Sequence, residues 1–193
     1  MNLVDVTQKN IERLNGITLS YAAWDAILVE DGRERAETTI TRNDITIHLP
    51  SATLPQSAVT FHDDHIPAAA LFRYLELVEE ISHFTLAAWK LERDIPFTPL
   101  ELETQAHFDK YMLGHTILSK RFPGLPGQFL DYALKAVLFH LPQTVDQPTL
   151  YATADRYGYH YIDAFRRGKV SLERHRQLYR IPAPEKIKAF HHL

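Results

Sequence analysis

The chain has no cysteine, two methionines and seven glycines among its 193 residues. The first absence excludes disulfides, thiolate metal ligands and thiol nucleophiles. The scarcity of glycine argues against phosphate-cradling loops. No Walker loop, Gly-x-Gly-x-x-Gly turn or Gly-x-Ser-x-Gly elbow occurs in the sequence. No run approaches the ~20 apolar residues of a membrane span. The opening MNLVDVTQKN lacks the basic-then-apolar pattern of a secretory leader. Internal repeats and low-complexity tracts are also missing. These absences lead us to expect a soluble, cytoplasmic protein with no membrane partner.

What is present is a globular composition: 45% apolar and 23% charged residues, enough to build a sizeable core without staples. We expect a single domain over 1–193, with a β-rich part (1–61), a helical part (62–193) and a seam at the loop 50–57. The expected fold class is α+β: a small N-terminal antiparallel β-meander packed on a bundle of four or more helices.

In the β-rich part, residues 4–14 read as a short helix with Thr7 as cap and Asn15-Gly16 as stop. Ile17 to Val29, rich in strand formers, reads as the first strand. Asp31-Gly32 is a hairpin-type turn, and Arg35–Thr41 and Ile45–Leu49 alternate as half-buried strands. Val59-Thr60-Phe61 reads as a short edge strand. His62-Asp63-Asp64-His65 has the residue types of a metal or proton site. Its position just before a helix makes Asp64 an N-cap instead.

The stretch Pro67–Ile117 reads as a helical hairpin. The first helix (Pro67–Arg93) is apolar over most of its surface, and its polar strip holds Glu76, Glu79, Glu80 and His83. Thr98-Pro99-Leu100-Glu101 is a capping box with proline at the first helical position. The helix it starts has two apolar stripes. Between them run Glu103, His107 and Lys110 on one flank, and Glu101, Gln105 and Asp109 on the other. A helix with two apolar stripes packs on two sides, so at least one polar row lies against protein, where charges must be paired.

After the break Pro123–Gly127, Gln128–Leu141 is apolar nearly all round and reads as a core helix. Asp146 caps a further helix to Arg167, stopped by Gly168, and Ser171 caps a short basic helix to Tyr179. Residues 166–193 carry eight lysines and arginines against two acidic residues, a balance of +6. That leaves −9 for the rest of a chain whose total is −3. Such a basic segment either recruits an acidic partner or packs back on its own acidic body.

Three functional readings follow. The leading one is a non-catalytic binding or accessory protein. It contacts a protein partner through the basic, aromatic C-terminal segment or an exposed face of the bundle. The second is a metal-dependent enzyme, hydrolytic or oxidative, centred on Glu80, His83, Glu103 and His107. Glu80 and His83 form a Glu-x-x-His pair on one helical face, and Glu103 and His107 are four apart on another. The hairpin sets His83 level with residues 107–108, so a carboxylate and an imidazole from each helix can meet. That donor set suits zinc, iron or manganese. Di-iron carboxylate bundles use Glu-x-x-His on two helices, and only one copy is present here. The third reading is nucleic-acid binding by the tyrosine- and arginine-rich region 151–167 and the basic tail, less favoured because the overall charge is acidic.

Overall fold

The structure is a computed structural model that describes residues 2–41, 44–51, 53, 68–139 and 148–191. Helix α1 spans Leu3–Asn15. Its N-cap is Asn2, whose side chain accepts from the Asp5 amide at 2.8 Å. Thr7, the expected cap, is instead a fully buried residue inside the helix. Gly16 ends it in the left-handed conformation (φ +66°), its N–H bonding back to Glu12.

Residues 17–22 do not join a strand. Gln8 of α1 takes up this segment: its Nε2 donates to the Tyr21 carbonyl and its Oε1 accepts from the Ala23 amide. A 3-10 helix, Ala23–Ala26, follows. The strands are β1 (Ile27–Glu30), β2 (Glu37–Ile40) and β3 (Ile45–Pro50). The α+β class is as expected, but the sheet is mixed and its order is β1-β3-β2. β1 runs parallel to β3, and β2 is antiparallel to it. The meander fails because β3 is the strand best suited to the centre. Ile47 and Leu49 are fully buried, whereas Leu28 and Val29 of β1 are about half exposed.

Helices α2 (Ala68–Leu91) and α3 (Pro99–Arg121) form the expected hairpin, turning through Asp94 at φ +52°. Thr98 caps α3, its hydroxyl accepting from the Glu101 amide at 3.2 Å. The capping box is only half made, because the Glu101 carboxylate is engaged with two lysines instead. α3 is the axis of the molecule: every residue from Glu101 to Tyr111 is buried. It packs against α2, α4 (Gly127–Phe139) and α5 (Pro148–Arg166). The expected caps Asp64 and Asp146, the edge strand at 59–61 and the His62–His65 group lie outside the described residues.

Helix α4 departs from the expected core helix. Leu130, Leu134 and Leu138 face inward, but Phe129 and Tyr132 are 58% and 77% exposed, with Leu125 half exposed beside them. The short helices α6 (Leu172–Tyr179) and α7 (Ala183–Phe190) close the other side. Ser171 caps α6 as expected, and Gly168 adopts φ +72°.

The basic tail largely packs back on the body. Arg176 donates to the Arg13 and Leu14 carbonyls and Arg180 to that of Gly16, so both satisfy the open C-terminus of α1. Arg166 pairs with Asp131, Arg167 with Asp163, and Lys186 with Glu101. Among the described residues, no helix is long and apolar enough to cross a membrane.

Candidate metal centre

The two polar rows of α3 are both buried, and they are treated differently. On one side Glu101, Gln105 and Asp109 anchor a closed network. Lys90 of α2 donates to both Glu101 oxygens at 2.6 and 2.8 Å, and to the Ile181 carbonyl at 2.9 Å. Lys186 of α7 sits 3.2 Å from Glu101 and donates to Gln105 at 2.8 Å. Gln105 and Asn15 donate to Asp109 Oδ1, while Ser82 donates to Oδ2 at 2.6 Å. Asn15 Oδ1 accepts from His175 Nε2, which leaves Nδ1 to accept from the Tyr161 hydroxyl. Two ammonium groups and two carboxylates balance, and each of the groups just named has a partner.

The other row carries the expected site. Ser82 opposite Asp109 sets the hairpin register, so His83 does stand level with residues 107–108. Its imidazole nevertheless meets Glu103, with Nε2 at 3.6 Å from the carboxylate. Of the four residues expected to converge, His83 and Glu103 come together. Glu80 lies 3.8 Å from His83 Nδ1, but its carboxylate accepts from the Thr38 hydroxyl of β2 at 2.6 Å. It anchors the helix to the sheet. His107 turns toward α5, where Nε2 lies 2.8 Å from Asp155 Oδ1. It turns because Gly158 lets α5 approach closely: a Cβ there would sit 2.8 Å from that of His107.

Glu79 completes the group in place of Glu80. One donor atom each from Glu79, His83 and Glu103 lies within 4.8 Å of the other two, a grouping that can hold a metal ion. Glu79 is missed when the Glu-x-x-His spacing alone is followed. The available signal is its i,i+4 relation to His83, which also shares a helical face. Lys110, on the same α3 row, pairs with Glu79 at 2.9 Å.

The electrostatics point to an incomplete site. His83 Nε2, both His107 ring nitrogens and Asp155 Oδ1 are buried without a hydrogen-bond partner among the described residues. His107 and Asp155 are close enough for an ion pair. Burial opposes charge on His83, yet Glu103, Glu80 and Glu79 outweigh it and push the ring up to about 9. Burial, with Glu79 and Glu80, raises Glu103 against the pull of His83 and Lys110. Burial also raises Glu79, but Lys110 and His83 more than reverse this. His107 is lowered by burial and by Lys110 and stays neutral. Tyr151 of α5 is pushed up to about 12 by burial and then by the carboxylates of Glu103, Glu79 and Glu80. Glu79 and Asp155 open the group to solvent, at 25% and 32% side-chain exposure.

One imidazole and two carboxylates form a mixed nitrogen–oxygen set of the kind that binds zinc, iron or manganese. Three protein ligands leave a coordination position open, which is the arrangement of a catalytic ion. No protein-family model, no curated protein and no solved structure matches this chain.

Proposed function

We propose that this protein binds a divalent metal ion of the zinc, iron or manganese class between α2 and α3. Glu79, His83 and Glu103 are its ligands, and the ion serves a hydrolytic or oxidative reaction. The observation that carries this reading is the His83 imidazole. It is more than nine-tenths buried, its Nε2 has no hydrogen-bond partner among the described residues, and it faces Glu103. Burying such a nitrogen is costly unless something accepts its lone pair or its proton. A metal ion does the former and also balances the surplus of carboxylates. Elemental analysis of the purified protein is the test. The reading expects close to one equivalent of a transition metal in the wild type and a loss of it in His83→Ala and Glu103→Gln variants that remain folded. A metal-free wild type that takes up neither zinc nor manganese would refute it.

A second reading, contact with a protein partner, is favoured by the exposed Phe129 and Tyr132 on the outer side of α4, with Leu125 exposed just before the helix. Large apolar side chains grouped on one helix face are a common mark of an interaction surface. Replacing Phe129 and Tyr132 with serine is expected to abolish self-association or co-purification of a partner and leave folding intact. The basic tail is a weaker candidate, because six of its cations have partners within the chain.

A further inference from the structure

We infer that Lys110 is the resident counter-ion of this pocket and fixes the charge of the cation it accepts; the inference rests on the metal reading above. Lys110 lies on the same row of α3 as Glu103 and His107. It is 95% buried and its ammonium stands 2.9 Å from Glu79 Oε2. It therefore already occupies one oxygen of a ligand that an incoming ion needs.

Two effects of Lys110 on metal binding oppose each other. Its hydrogen bond holds the Glu79 carboxylate in place and leaves the second oxygen to ligate, which favours binding. Its charge repels the ion across a short, partly desolvated gap, which disfavours binding. Unlike a surface lysine, this one cannot swing into water to relieve the repulsion. A dication and an ammonium only a few ångströms apart repel more strongly than one hydrogen bond orients, so repulsion wins.

The charge balance agrees. Glu79, Glu80 and Glu103, the carboxylates that act on His83, supply three negative charges around the ligating ring, while Asp155 is set against His107. With His83 ligating as a neutral ring, Lys110 and one dication bring that total to zero. Without Lys110 the same pocket would remain negative around a dication and would suit a trivalent ion. Lys110 thus tunes the pocket to divalent ions and holds their affinity down.

The test is binding of Mn²⁺, followed by its electron paramagnetic resonance signal, and of Tb³⁺, followed by luminescence. Both are measured on the wild type and on folded Lys110→Met, Lys110→Gln and Lys110→Arg variants. His83→Ala serves as the control for adventitious surface sites. The expected result is at least tenfold tighter Mn²⁺ binding in Lys110→Met and Lys110→Gln, a larger gain for Tb³⁺, and wild-type behaviour in Lys110→Arg. Unchanged or weaker binding in Lys110→Met, with Lys110→Gln near wild type, would overturn the inference, because Lys110 would then be a positioning residue. Binding by the Met variant alone would support the counter-ion role and refute metal binding by the native protein. No binding by any form would refute both.

Discussion

The two polar rows of α3 start two residues apart, at Glu101 and Glu103, and both are buried. They differ in what surrounds them. The Glu101 row meets Lys90 and Ser82 of α2, Asn15 of α1 and Lys186 of α7, which supply a matching donor or acceptor for each of its groups. The Glu103 row faces α2 and α5. It is left with more carboxylates than cations and with imidazole nitrogens that have no aligned partner among the described residues. A complete network specifies a fold, because every member holds another in place. An incomplete one that gathers carboxylates and imidazoles is where a ligand is to be sought.

The difference can be broken at Glu101 first. Glu101→Ala leaves the Lys90 and Lys186 ammonium groups buried and without their carboxylate. Breaking a buried pair from one side costs about 3–5 kcal/mol, readable as a fall in denaturant midpoint. Replacement of both lysines with methionine in the same background is expected to restore much of the loss.

Asp109 gives the next largest effect, through pH. Burial pushes its carboxyl from an ordinary value near 3.8 up to about 6, against hydrogen bonds from Ser82, Asn15 and Gln105 that pull it down. The native state then holds the proton more tightly than the unfolded chain. This group's contribution is therefore fully present below about pH 4 and is lost as pH rises toward 6. The shift corresponds to about 3 kcal/mol. The stability difference between wild type and Asp109→Asn should shrink by that order across this window. A pH-independent difference would show that Asp109 titrates normally.

Gly158→Ala probes the wall of the incomplete row. The new methyl would meet His107 at 2.8 Å, and overpacking of this kind costs about 1–3 kcal/mol. Alanine's better helix propensity offsets up to about 1 kcal/mol of that. The contact is with the His107 Cβ, which alanine would retain, so it is in a His107→Gly background that the clash disappears and the same change should become neutral or stabilising. Equal costs in both backgrounds would contradict the packing described.

Much of the fold was legible because its signals are local. Asn15-Gly16, Thr98-Pro99 and Ser171 mark helix ends through hydrogen bonds within a turn, and the apolar hairpin announces itself by composition. The sheet order was not legible, since which strand takes the centre depends on relative burial of Ile47, Leu49, Leu28 and Val29. The open face of α4 was hidden for a similar reason. Phe129 and Tyr132 look like core residues until it is known that no neighbouring element reaches them among those described. At the site, the meeting of His83 and Glu103 followed from hairpin register. The roles of Glu80 and His107 did not, because Thr38 and Gly158, distant in sequence, decide where those side chains go. The tail's charge allowed either a partner or its own acidic body, and three of its residues close the ends of helices or networks inside the chain.

The most direct measurement is thermal unfolding of Glu101→Ala and Glu103→Ala, each with and without added zinc. The same substitution, two residues apart on one helix, should give opposite results. Glu103→Ala should stay within about 1 kcal/mol of wild type without metal, since the His83 ring can shed its proton where a lysine cannot easily do so. It should also lose the stabilisation that zinc gives the wild type. Glu101→Ala should be strongly destabilised and keep its response to zinc. Equal destabilisation of both variants, with no response to zinc in any protein, would contradict the division of α3 into a structural row and a ligand-binding row.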